Sequence, residues 1–283
     1  MRLLGVTVTI LIVLFWTTMN SLLVRRQLEE SELGLYQQKV RRFLDSARHR
    51  ERWLSIYLRS DRRNRQVGYT GTIVDAVQGP NGTEYHTRIE SMVDVEVFGR
   101  SAVLLKGLIG TGDLRIDGLM VQDGDMRPLH LTVELTFPNE RRVVLQGERK
   151  DDRFILKAHH EDLAIPPLSM PLEKMTLGNS LAPDLPLAGL KEGEKFRVKM
   201  FDPVFFASRP VDVEVVSLGA QEHNGVLVDV YTLESTYRGF KTTSIVTRDG
   251  TVLRIKLGPP FQGISLQYEK SAESARRIVP RKK

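Results

Sequence analysis

The chain is 283 residues long, with a net charge of +6, 41% hydrophobic residues and no cysteine. The missing thiol excludes Cys-His acyl transfer, cysteine-containing zinc sites and a lipid-modified cysteine, and it suits a bacterial envelope better than an animal secreted module. The charge suggests nucleic acid until it is located: residues 25–65 carry 12 basic and 6 acidic side chains, residues 66–270 carry 23 and 28, and residues 271–283 carry 5 and 1, so the excess sits at the two ends of a mildly acidic body and no nucleic-acid partner is expected.

The first element is Leu3–Val24, 22 residues without a charge, bounded by Arg2 and by Arg25 and Arg26. As a helix it would reach about 33 Å, enough to cross a hydrocarbon core of about 30 Å. The run is longer than the apolar core of a signal peptide and ends without a small-x-small cleavage pattern, so residues 1–26 are expected to be a retained transmembrane anchor, with residues 3–24 contacting membrane lipid. The basic cluster Arg25, Arg26, Arg41 and Arg42 would lie at the membrane surface, where each cation near anionic lipid contributes about 1 kcal/mol. By the positive-inside rule that cluster argues for a cytoplasmic body. The opposite expectation, a single-pass bacterial inner-membrane protein with a periplasmic body, rests on the resemblance given below.

Residues 27–52 read as an amphipathic helix: Leu33, Tyr36, Val40, Phe43 and Ala47 recur at spacings of three and four, with Gln37, Gln38, Lys39, Arg41, Arg42 and Arg48 on the other face. Packing on the protein's own sheet is one use of this stripe. A short coiled coil that pairs two anchored copies into a weak homodimer is another.

From Trp53 the period changes to two. Trp53–Leu58, a charged turn, and Val67–Val74 predict a hairpin, and alternating runs follow at Glu84–Phe98, Leu114–Val121, Leu129–Phe137, Arg142–Gln146 and Phe154–His159. Turn residues such as Pro80-Asn81-Gly82 and Asp123-Gly124-Asp125 separate them. Residues 53–162 therefore predict a first antiparallel sheet domain. Residues 163–192 are crowded with proline and predict a connector without long strands or helices. Residues 193–270 predict a second meander, with strands at Lys195–Phe201, Val211–Leu218, Val226–Glu234, Gly239–Thr247, Thr251–Leu257 and Ile264–Tyr268, and with His223-Asn224-Gly225 and Arg248-Asp249-Gly250 as turns that need positive φ. Residues 271–283 read as a loose basic tail. The expected class is mainly β: two antiparallel meander sheets, curved or half-barrel-like, after two N-terminal helices.

Chemical signatures are sparse. The sequence holds no phosphate loop, nucleophile elbow, H-E-x-x-H or EF-hand spacing, and neither catalytic residues, a cofactor nor a metal is expected. His159 and His160, adjacent on a strand, would point to opposite faces. Asp123/Asp125 and Asp151/Asp152 lie in turns, where carboxylates cap backbone groups. A hydrolase whose non-thiol site combines His86, His130, His159 or His223 with carboxylates is the alternative reading.

The segment Glu51–Leu58, a polar turn and then Val67-Gly68-Tyr69 resemble the opening of the membrane-anchored N-terminal β-region found ahead of some bacterial transglutaminase-like domains. Leu185–Gly193, Phe201-Asp202-Pro203-Val204, the run to Val215, Tyr237-Arg238-Gly239-Phe240 and Asp249–Leu253 resemble the same region, and also a related domain of unknown function whose sheets are compared with periplasmic lipoprotein carriers. The likeness covers roughly residues 50 to 270 and rests on strand-and-turn signatures. It implies an accessory module without the catalytic cysteine domain, accessory to a separately encoded transglutaminase-like enzyme or with a task of its own. On that footing the expected function is non-catalytic: a membrane-anchored envelope protein whose sheets bind a protein partner or a lipid or lipoprotein acyl chain. Phe201, Phe205 and Phe206, which flank a proline turn, are the candidate partner or ligand surface.

Overall fold

The computed structural model describes residues 49–60, 63–95, 111–125, 127–160, 163–164, 166–171, 189–202, 207–237, 240–248, 250–259 and 262–277. The expected anchor Leu3–Val24 and residues 27–48 of the expected amphipathic helix lie outside them. Among the described residues no helix is long and apolar enough to cross a membrane.

The strands are β1 (His49–Ser60), β2 (Arg63–Gly79), β3 (Gly82–Asp94), β4 (Asp113–Gln122), β5 (Pro128–Thr136), β6 (Arg142–Lys150), β7 (Arg153–His160), β8 (Leu163–Ala164), β9 (Leu168–Pro171), β10 (Lys195–Asp202), β11 (Ala207–His223), β12 (Val226–Tyr237), β13 (Phe240–Thr247), β14 (Val252–Leu257) and β15 (Ile264–Glu269), followed by a short helix, α1 (Ala272–Arg276). They form one 15-stranded sheet in the order β10-β11-β12-β13-β14-β15-β1-β2-β3-β4-β5-β6-β7-β8, with β9 also on β7. Every pairing among the described strands is antiparallel, and apart from β9, which skips β8 to reach β7, neighbours in space are neighbours in sequence except where β15 lies beside β1.

That exception corrects the expectation of two sheets. Trp53 pairs with Glu269, Ile56 with Leu266 and Leu58 with Ile264, so the second meander closes onto the first strand of the first. The physical reason is local. Between Ile56 and Tyr57 the β1–β2 register slips by a bulge, which leaves Val67 as an extra residue. Val67 is 2% exposed and packs with Ile264, Ile56, Leu58 and Leu257, an apolar cluster that neither meander can complete alone.

Three boundaries also differ from expectation. His49–Arg52, assigned by periodicity to the helix, extend β1 and pair with Thr72 to Asp75 of β2. The proline-rich connector contributes β8 and β9, which pair along β7 where Pro166 and Pro167 leave the strand edge open. The tail after Glu269 is not wholly loose. Ser271 caps α1 by accepting a hydrogen bond from the Ser274 N–H at 3.2 Å. Ala275 is fully buried, and its carbonyl accepts from Gln66 Nε2 at 2.5 Å.

Two hairpins show why these residues turn where they do. Asn224 and Gly225 have φ of 55° and 80°, the pair of left-handed conformations that a two-residue loop between right-twisted strands requires. Pro80-Asn81 turns β2 into β3, with Gly82 at φ 122° closing the pair to Gly79.

Register fixes which side chains share a face. One transverse row runs Val215, Leu233, Ser244, Ile255, Leu266, Ile56, Gly68, Val93 and Leu114, from β11 to β4. This is the apolar face. The row three residues along, Trp53, Gly71, Glu90, Asp117 and Glu134, belongs to the polar face. β4 shows the alternation cleanly: Asp113, Arg115, Asp117 and Leu119 are exposed, while Leu114, Ile116, Gly118 and Met120 are half-buried.

Candidate functional site

The two faces differ in chemistry, and the apolar face differs along its length. On β11 to β15 it is core: Val215 is 0% exposed, Tyr231 and Leu233 2%, and Ile255 3%. On β3 to β7 the same face is mixed: Tyr85, Thr87, Phe154 and Leu156 are buried, and between them Ile89, Val93, Leu114, Ile116, Met120, Leu131, Val133, Leu135 and Leu145 are half-buried. Two of its transverse rows can be followed from end to end. One runs Arg52, Thr72, Ile89, Gly118, Val133, Leu145, Ala158; the next runs Arg50, Val74, Thr87, Met120, Leu131, Gly147, Leu156, Leu168. Each therefore begins at a guanidinium on β1 and continues mainly through small or apolar side chains. Phe154 is fully buried against Gly147, where a Cβ would fall inside its ring.

The β1 end of these rows is a cleft of about 370 Å3 lined by His49, Arg50, Glu51, Arg52, Thr72, Val74, Thr251 and Tyr268. It exists because β15 ends at Glu269, opposite Trp53, so that residues 49–52 of β1 run on beyond their β15 neighbour. His49 Nδ1 lies 2.6 Å from Asp75 Oδ1, and the Trp53 indole N–H donates to Glu51. The β11–β12 hairpin reaches the same place, with the His223 ring edge-on to Tyr268 at 5.0 Å. Beside it the hairpin exposes Val226 (62%) and Leu227 (72%).

On the polar face a clamp holds α1. Arg276 lies over the Trp53 ring at 4.9 Å and donates through Nε to Glu90 at 3.0 Å, while Tyr69 donates to Glu90 at 2.7 Å. Burial alone would raise the Glu90 carboxyl, but hydrogen bonds from Arg276 and Tyr69 and the guanidinium charge hold it below its ordinary value. Burial, reinforced by the bond to Glu90, pushes the Tyr69 phenol up to about 12. Asp117 sits between Glu90 and Glu134, and burial followed by those two charges raises its carboxyl. The charges in this cluster position α1.

The residues singled out from sequence fall in scattered places. Phe201 is on β10, paired through its backbone with Ser208; Phe205, Phe206, Arg25, Arg26, Arg41 and Arg42 lie outside the described residues. His86 Nε2 lies 3.4 Å from Glu84 Oε2. His130 is opposite Glu148. His159 and His160 are successive residues of β7, opposite Val144 and Val143. His223 meets the Asn224 amide at 3.0 Å. Among the described residues no three His, Asp or Glu side chains are grouped to hold a metal ion. Asp123 caps its loop, accepting from the backbone of Asp125 at 3.0 Å and Arg127 at 2.9 Å, and from Arg149 at 2.6 Å. Sequence reasoning missed Arg50 and Arg52. Their signal was the period-two text Arg50-Glu51-Arg52-Trp53, which a helical reading to residue 52 concealed.

No protein family matches the chain, and no curated protein does. Among solved structures it is similar to the crystal structure of a β-barrel-like protein of the domain of unknown function DUF1849 from Brucella abortus. The TM-score is 0.40 and the identity 11%, over 78% of this chain and 95% of that one.

Proposed function

We propose that this chain is a non-catalytic bacterial envelope protein, anchored by Leu3–Val24 with its sheet on the periplasmic side, that holds an acyl chain along the apolar face of β3 to β7. The observation that supports the reading is the contrast within one face: core on β11 to β15 and at Tyr85, Thr87, Phe154 and Leu156, with a half-buried apolar patch from Ile89 on β3 to Leu145 on β6 between them. Apolar side chains left half-buried in adjoining strands are ordinarily covered by something, and a contiguous patch of that kind marks a binding surface. Four strand spacings of about 4.8 Å, β3 to β7, give a path of about 19 Å along the sheet, comparable to an extended acyl chain. Transfer of each methylene from water to such a surface is worth about 0.8 kcal/mol. A protein partner is the second reading, favoured by exposed Val226 and Leu227 at the β11–β12 turn.

The test uses adjacent residues on opposite faces of β5. A photoreactive amino acid is placed at Leu131 or Val133, on the apolar face, or at Thr132, on the polar face, in the full chain expressed in bacteria fed an alkyne-tagged fatty acid. Irradiation should attach the tag through positions 131 and 133 and not through 132. Equal labelling at all three positions, or none at any, would remove the acyl-chain reading.

A further inference from the structure

The half-buried patch on β3 to β6 has a dimple in its floor, and we infer that this dimple, at Gly118, is the seat of a single hydrocarbon chain, where the tail lies against the β4 backbone. The inference rests on the acyl-chain reading and adds the residue that sets how deeply the tail is held. Gly118 pairs with Ile89 on one side and Val133 on the other, and Ile116 and Met120 flank it along β4. Four apolar side chains of one face thus surround a position that has none.

A glycine inside a strand weakens it, and it ordinarily marks a bulge, a left-handed backbone or the close approach of another group. Three strand glycines are accounted for within the protein: the Trp53 ring occupies the place of a Cβ at Gly71, the Phe154 ring does so at Gly147, and the Met92 carbonyl at Gly68. Gly118 has no such reason. Its pairing on both sides runs without a shift as far as Val121, and its φ is not positive. A Cβ there would meet Val133 Cγ2 at 3.6 Å and Ile89 Cβ at 3.7 Å, ordinary contacts. Among the described residues nothing fills the space, and Gly118 itself is only half-buried. The fold has room for a side chain here, so what the glycine admits is a group from outside the sheet.

The size of the patch selects the occupant. From β3 to β6 it spans three strand spacings, about 14 Å, and from Leu114 to Met120 it runs about 20 Å, an area of about 300 Å2. A stable protein partner, a second copy of this chain included, covers about 800 Å2 on each side. A single hydrocarbon chain needs no more than the patch offers, and it makes no demand for hydrogen bonds from a floor of Ile, Val, Leu and Met.

The test uses the full chain with a photoreactive amino acid at Leu131, expressed in bacteria fed a limiting amount of alkyne-tagged fatty acid. Gly118→Leu fills the seat and removes the contact of about two methylenes, so labelling should fall about tenfold; Gly118→Ala removes about one, for a fall of about fourfold. The Ala variant should melt no lower than the unaltered chain, since the position has room for its Cβ. Gly219 of β11, where a Cβ would meet nothing, lies outside the patch, and Gly219→Leu should leave labelling unchanged. Undiminished labelling in Gly118→Leu overturns the inference and leaves the acyl-chain reading standing, and so does an equal fall in Gly219→Leu. A lower melting temperature in Gly118→Ala overturns it as well, because the glycine would then serve packing. Absence of labelling in the unaltered chain overturns both readings. If Gly118→Leu fails to fold, the Ala variant decides.

Discussion

Gly71→Ala tests the polar-face clamp through a single methyl group. The Trp53 indole lies across Gly71, and a Cβ there would fall inside van der Waals contact of three of its ring carbons. Trp53 cannot simply move aside. It is 2% exposed, lies beneath Arg276 at 4.9 Å, and sits 6.2 Å from the Tyr69 ring. Overpacking of this kind costs about 1–3 kcal/mol, so about 2 kcal/mol is expected, a shift in melting temperature of about 4–8 °C for a domain of this size. Gly118→Ala is the control: in β4, its Cβ would meet Val133 Cγ2 at 3.6 Å and Ile89 Cβ at 3.7 Å, ordinary contacts. That substitution should change stability by less than about 0.5 kcal/mol, or stabilise slightly by restricting the unfolded chain. Thermal unfolding of the full chain in detergent, followed by near-ultraviolet circular dichroism in a Trp16→Phe background, isolates the Trp53 signal, since these are the two tryptophans. Equal melting temperatures for the two alanine variants, or an unchanged Trp53 signal in Gly71→Ala, would refute the stacking.

Asp117→Asn should raise thermal stability at neutral pH by about 0.5 kcal/mol, because it removes a like charge set directly between Glu90 and Glu134; a lower melting temperature would refute that account. Glu90 is held below its ordinary value of 4.5, so its contribution is complete above that value and lost as pH falls through the lowered native one. The protection of the Ala275 amide from hydrogen exchange, relative to its intrinsic rate at each pH, should therefore fall as the pH drops below 4.5, and should do so less in Glu90→Gln, where the charge is already gone. Gly225→Ala forces a side chain onto φ 80°, and should cost about 1 kcal/mol while loosening the His223–Tyr268 contact; an unchanged His223 ring signal by nuclear magnetic resonance would refute the coupling. Val226→Ser combined with Leu227→Ser should leave the melting temperature within the small range of surface changes, about 0.5 kcal/mol, since both side chains are mostly exposed.

What was legible in the sequence was local. Asn224-Gly225 marks its hairpin because few other residue pairs adopt two consecutive positive φ values, and β4 is readable because Asp113 to Met120 alternate without a break. The union of the two meanders was not legible. Leu266 meets Ile56 across a separation of 210 residues, and nothing in either hexapeptide specifies the other. α1 escaped notice because five residues give no period; a serine cap and one buried alanine hold it. The candidate site was missed for a related reason. Arg50 and Arg52 count as basic juxtamembrane residues until the extension of β1 assigns them to a face, and only the register with Thr72 and Val74 shows what that face holds.

The junction of β15 with β1 also bears on biogenesis. A nascent chain emerging amino-end first has β1 paired with β2 early, but the other rim of β1 stays bare until residues 264–269 have been made. For most of synthesis the protein therefore carries an open hydrogen-bonding template along β1. Sealing it requires the longest-range pairing in the sheet, an inherently slow step, so assembly of this protein is expected to depend on whatever shields that rim in the interval.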